Sequence, residues 1–347
     1  MLNPPRRTVL ARLAAGSLGL LAAASLQAQE VTLKVHHFLA PTSNIHENLI
    51  QPWCAKVQKE SAGKLKCQLY PAMQLGGTPP QLFDQARDGT VDIVWTVPTY
   101  QAGRFPKTEV FEMPFLTEHA ERASPALYEY VQKNALDEYR GVKPLFLHVN
   151  DGNILHMGKV AVRRLEDLKG LKVRAPTRLG TRILSALGAT PIQMPVPAVP
   201  EAIAKGVVDG AMLPWEVATS LKMQEIAKAH VETPAGHPKI STITFALVMN
   251  QAKYDGLPAD LKKVIDANSG VETSRWAGKV ADAALAPARK IALDRGNTFV
   301  TLSAEETRRW VEATAQVDDE WVREVSARGI NGKALLDDAK ALIRKQP

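Results

Sequence analysis

Leu165-Glu166-Asp167-Leu168-Lys169-Gly170-Leu171-Lys172-Val173-Arg174-Ala175-Pro176 is the stretch on which the reading of this chain turns. A short turn of helix over Leu165–Leu168 ends at Gly170, a residue that closes helices without steric cost. A strand over Leu171–Arg174 follows and stops at Pro176, which has no N–H for a ladder. Arg174 thus stands at the carboxyl end of a strand, where open α/β sheets bind ligands. Its guanidinium is a planar fork that can grip a carboxylate through two parallel hydrogen bonds. The competing reading is a surface arginine in an ordinary ion pair.

Outward from this stretch the same grammar repeats. Val31–Val35 alternates like a strand, and Ile45, Leu49, Trp53 and Val57 recur at helical spacing. Strands are expected at Leu65–Tyr70, Val91–Val97, Val142–Val149, Leu155–Val162, Thr190–Met194, Val208–Leu213 and Thr242–Met249. Helices are expected at Gln81–Arg87, His119–Asn134, Arg178–Leu187, Ala198–Lys205 and Val217–Ala227. The tail reads as helix over Ala259–Arg295, a brief strand Phe299–Leu302, and helix over Glu305–Arg328. Strands alternating with helices predict an α/β protein with parallel sheets. Two such blocks predict two lobes whose strand ends face one cleft.

The length of 347 residues, with 45% hydrophobic and 23% charged, suits a soluble chain of about two domains. The formal charge of +7 raises nucleic acid and membrane surfaces as partners. Three of those charges, Arg6, Arg7 and Arg12, lie before or at the start of the apolar run Leu13–Leu26. A basic segment, a short apolar run and a small residue at the exit form an export signal, with cleavage expected after Ala28. Arg6-Arg7-Thr8-Val9-Leu10 also resembles a twin-arginine signal, so either the Sec or the twin-arginine route leads to the periplasm. Residues 1–28 are assigned to this signal; the mature charge falls to +4 and no nucleic-acid partner is required.

Export makes a Cys54–Cys67 disulfide the preferred expectation, across a helix and its adjoining strand. The alternative is two small buried residues. No G-x-S-x-G, H-E-x-x-H, P-loop or G-x-G-x-x-G pattern is present in the sequence. His36, His37 and His46 match no standard metal spacing and read as surface or cleft-lining histidines. No metal and no cofactor is expected, and the chain reads as a binder rather than an enzyme.

The stretch Leu168–Pro176 resembles the signature of the periplasmic solute-binding subunits of TRAP transporters, the DctP-like, C4-dicarboxylate-binding family. Further segments agree in order: Tyr70-Pro71-Ala72-Met73-Gln74-Leu75-Gly76-Gly77, Gly89-Thr90-Val91-Asp92-Ile93, Met113-Pro114-Phe115, Ala186–Pro191 and Gly206–Gly210. The resemblance implies two α/β lobes joined by crossing strands and a long lobe-spanning helix, closing over one organic acid. On that pattern we expect lobe I at 29–150 plus 241–285, and lobe II at 151–240 plus 286–347. It implies that Arg174 pairs with the ligand carboxylate and that Thr177 is a polar contact. Where sialic-acid binders of the family carry Gln-Glu-Asn-Pro, this chain has Ala211-Met212-Leu213-Pro214 and then Trp215. The arginine that many members place near Asn153–His156 is absent, which puts a second fixed cation in doubt.

The remaining candidates for the cleft are Phe38, Trp215 and Phe245, with core packing as the competing role, Tyr100, with a surface-loop position as the competing role, and His148 and Asn153, with backbone bonding as theirs. Arg104 and Arg178 read as solvated cations. The expected function is capture of a small organic acid and its delivery to TRAP permease membrane subunits, by a monomer. Few cations and several aromatic rings favour an aromatic or 2-oxo or 2-hydroxy monocarboxylate over a C4-dicarboxylate. A receptor feeding a sensor kinase and an exported enzyme are the alternatives.

Overall fold

The computed structural model describes residues 30–347, so the export segment lies outside the described residues. Eleven strands are found there: β1 (Val31–His36), β2 (Leu65–Tyr70), β3 (Ile93–Thr96), β4 (Val142–Val149), β5 (Asn153–Met157), β6 (Lys172–Ala175), β7 (Thr190–Gln193), β8 (Gly210–Pro214), β9 (Ala229–Glu232), β10 (Thr244–Asn250) and β11 (Thr298–Thr301). They form two sheets, ordered β2-β1-β3-β10-β4 and β11-β9-β5-β8-β6-β7. Each sheet is the centre of one lobe.

The alternation of β1 has its physical counterpart: Leu33 and Val35 are buried while Lys34 is exposed. β3, β4, β8 and β10 are apolar runs covered on both faces. The sheets are mixed rather than parallel. β10 runs antiparallel to β3 and β4, and β5 runs antiparallel to β8 and β9. The cause lies in the connections. A parallel neighbour needs a long crossover, usually a helix. β4 passes to β5 through only Asn150–Gly152 and changes sheets in doing so. β10 returns to the first sheet after β9 in the second.

Three elements differ from expectation. β9 is too short and too polar to signal itself, since it contains His230 and Glu232. The long helical tail divides into Ala259–Ala267 and Val271–Asp294. Between them Gly270 adopts φ +90°, and its N–H donates to the Leu145 carbonyl. A last helix, Gly332–Lys345, packs on Ala120–Tyr130, beside the first sheet.

The Val271–Asp294 helix is the long element that spans the molecule. Its first half packs on Ala120–Tyr130 and β4, and its second half reaches the Trp215–Ala218 turn of helix. Gly278 permits the first contact, because a Cβ there would lie 2.2 Å from the Ala120 carbonyl oxygen. Among the described residues no helix is long and apolar enough to cross a membrane.

Cys54, on the helix Gln51–Glu60, is joined to Cys67 on β2, with Cα atoms 5.7 Å apart. The bond ties a helix to the edge strand it covers. For a loop of this length the chain-entropy model assigns about 3 kcal/mol. Replacing both residues by serine should therefore lower the urea midpoint markedly while leaving ligand affinity unchanged. Coincident unfolding curves for oxidised protein and the double variant would remove any stabilising role for the bond.

Candidate functional site

Arg174 lies on β6 between β7 and β8, paired with Ile192 and Ala211. It is fully buried. Its Nε donates to the Met194 carbonyl at 2.9 Å and its Nη1 to the Met212 carbonyl at 2.8 Å. Nη2 has no partner. Two carbonyls aim the fork and none neutralises it. Burial opposes its charged form and lowers its pKa from the ordinary value. A buried, unpaired cation is costly, so this site calls for an anion.

The wall opposite Arg174 is aromatic and comes from the first lobe. Phe38, Trp95, Tyr100 and Phe245 line one small cavity with Arg174. Trp95 and Phe245 stack at 4.8 Å with an interplanar angle of 12°. Phe38 tilts against Trp95 at 5.2 Å and against Tyr100 at 5.8 Å. Such a wall favours a flat apolar body. Leu39, Val196, Pro214, Glu216, Val217 and Ile243 complete the lining.

Of the residues singled out from sequence, Phe38, Tyr100 and Phe245 thus join Arg174. Four others stand elsewhere. His148 lies behind the rings: its Nε2 accepts from Trp95 Nε1 at 2.9 Å, and its Nδ1 bonds the Val149 carbonyl at 3.0 Å. Burial pushes its pKa down to about 4, so it is a neutral support for the indole. Asn153 binds Asn150 and Ser241, stitching the two chain crossings together. Thr177 caps the helix Arg178–Ala186 and donates to Glu112 Oε2 at 2.8 Å. Trp215 is a correction: it turns away from the cavity and packs on His156, His230 and Phe299. Its Nε1 donates to Glu232 at 2.9 Å. Pro214 and Glu216, its chain neighbours, line the cavity while the indole takes the other side.

The histidines and spare arginines also differ from expectation. His36, His37 and His46 are buried, with His37 Nε2 and His46 Nδ1 2.8 Å apart. Arg104 pairs with Asp84, and Arg178 bridges Glu109 and Glu324.

The lobes meet around the cavity through named bonds. The Val196 N–H donates to the Tyr100 hydroxyl at 3.2 Å. Glu112, fully enclosed, accepts from Thr99 and Thr244 of the first lobe and from Thr177 of the second. Burial raises its carboxyl pKa while the three hydroxyls oppose that rise. Sequence reading missed Trp95, Glu112 and Glu216. Trp95 sits mid-run in a strand buried on both faces, where periodicity cannot tell cavity from core. The acids carry no local signal at all.

Residues 35–324 match the family model described as bacterial extracellular solute-binding protein, family 7, DctP. The chain belongs to this family. Its fold agrees with that of a TRAP solute-binding protein from Rhodoferax ferrireducens in complex with benzoate, at TM-score 0.90 and 48% identity, covering 91% of this chain and 98% of that one. A marine metagenome TRAP solute-binding protein in complex with 3-hydroxybenzoate gives TM-score 0.90 and 43% identity, over 92% and 99% of the two chains. The C4-dicarboxylate-binding DctP of Rhodobacter capsulatus is 25% identical over 94% of this chain and 96% of its own length. This DctP-family chain is therefore a solute-binding receptor of the TRAP type, a class that works outside the cytoplasm, binds small organic acids and serves TRAP permeases.

One acidic cluster in the DctP-family chain sits where the chain crosses between lobes. The Glu216 N–H donates to Asp151 Oδ1 at 3.4 Å, and Asp151 Oδ2 and Glu216 Oε2 are buried without partners. Burial raises the pKa of both, and their closeness raises Glu216 further. A carboxyl held above its unfolded value stabilises fully below about pH 4, and that contribution is lost as pH rises toward the folded value. Asp151→Asn removes the effect and keeps the Oδ1 acceptor. Its stability relative to wild type should therefore grow as pH rises from 5 to 8, reaching on the order of 2 kcal/mol. Urea titrations at both pH values check this; a difference that does not change with pH would sink it.

Proposed function

We propose that this receptor binds a small aromatic monocarboxylate, with Arg174 receiving the carboxylate and the Phe38–Trp95–Tyr100–Phe245 wall receiving the ring. The single observation that carries this reading is the buried Nη2 of Arg174, unpartnered in a cavity lined by aromatic rings. Three N–H bonds of the guanidinium stay free once Met194 and Met212 take two, enough for one carboxylate. Among the described residues no second cation lines the cavity, which favours one carboxylate over two. The benzoate and 3-hydroxybenzoate complexes of the two relatives support the same class of ligand.

In this reading no bond is made or broken. The lobes divide near 150 and 241, and the crossings stitched by Asn153 and Ser241 act as the hinge. Ligand favours closure because Arg174 belongs to one lobe and the rings to the other. The receptor acts as a monomer, reaches the periplasm through the signal at residues 1–28, and passes its ligand to TRAP permease subunits rather than to a sensor kinase.

A micromolar binder needs about −8 kcal/mol. Arg174→Ala buries a carboxylate without a partner, at a cost of about 2–5 kcal/mol. Calorimetry with benzoate should show binding to wild type, no measurable binding to Arg174→Ala, and severe weakening in Arg174→Lys, whose ammonium cannot reproduce the fork. Unchanged affinity in either variant would overturn the clamp. Tight binding of succinate instead of benzoate would move the reading to a dicarboxylate.

A further inference from the structure

Two residues that line this cavity, not one, each hold a buried polar atom without a partner among the described residues. Arg174 supplies Nη2, and Glu216, only 5% exposed, lines the same cavity with an unpartnered Oε2. The Tyr100 hydroxyl and the Trp95 indole each have at least one partner: the hydroxyl takes the Val196 N–H, and the indole gives its proton to His148. An unsubstituted ring bound to Arg174 would satisfy the cation and leave Glu216 unmatched.

We propose that Glu216 is a specificity-determining residue that selects aromatic acids carrying a hydroxyl on the ring, by hydrogen-bonding that hydroxyl. The inference rests on the aromatic-acid reading of the cavity and deepens it. The local chemistry suits a neutral carboxyl: Asp151 lies beside Glu216, Asp282 adds a second negative neighbour, and burial disfavours charge. A neutral carboxyl both donates and accepts, so it matches a hydroxyl in either direction. Sites built to bond a ligand hydroxyl reject analogues lacking it, because the buried partner is left unpaired.

The test is calorimetry with benzoate, 3-hydroxybenzoate and 4-hydroxybenzoate on the whole mature chain. Wild type should bind at least one hydroxybenzoate about tenfold or more tightly than benzoate. Glu216→Gln, whose amide also donates and accepts, should keep that preference. Glu216→Leu and Glu216→Ala should erase it while still binding benzoate, so benzoate affinity reports that the variants are folded. A merely structural role would weaken all three ligands together and leave the ratio unmoved, and that result overturns the inference. So does a wild type that shows no preference, a readout that needs no variant. A wild type that binds none of the three overturns the aromatic-acid reading itself, and is distinguished from the other failures by the missing benzoate heat.

Discussion

A guanidinium buried without an anion is the constraint on which the rest of the site depends. Arg174 is turned toward its cavity by the carbonyls of Met194 and Met212, which bond the fork but cannot neutralise it. Those carbonyls belong to the segment after β7 and to β8, the two neighbours of β6. The sheet therefore presents the cation as a fixed object rather than a flexible side chain. Preorganisation of this kind lowers the entropy lost on binding. It also leaves a buried guanidinium without an anionic partner among the described residues, which is the basis of the carboxylate clamp proposed above.

The aromatic wall answers from the other lobe. Trp95 is held by His148 and stacked on Phe245, so its ring plane is set before any ligand arrives. The lobes are linked by chain crossings and by a helix that packs on both. Glu112 gathers threonines from both sides in the same region. The Thr177–Glu112 and Val196–Tyr100 bonds join one lobe to the other beside the cavity. In the proposed function, a ligand held by Arg174 and the rings would add to the same contacts between lobes.

Much of the fold was legible in order. The alternation of Val31–Val35, the apolar runs of β4 and β10, and the Gly170–Pro176 punctuation all carry local physical signals. The parallel expectation failed because strand direction depends on where the chain crosses between sheets, and Asn150–Gly152 has no composition that announces a crossing. The site was legible in part. Arg174, Phe38, Tyr100 and Phe245 meet in one cavity, whereas Trp215 follows a strand end equally well and turns away. Near a strand's end a shift of one residue reverses the face, and sequence spacing does not resolve one residue.

The sequence by itself determined the family, the α/β alternation and the arginine near a strand's carboxyl end. These depend on local propensity, periodicity and motif order, all of which are written along the chain. Only the tertiary structure decided that Trp95 faces the cavity, that Glu112 spans the lobes, and that Glu216 shares a wall with Arg174. Those residues lie far apart in sequence, and their roles arise from burial and from which polar atoms remain without partners. That accounting exists only once every neighbour is in place.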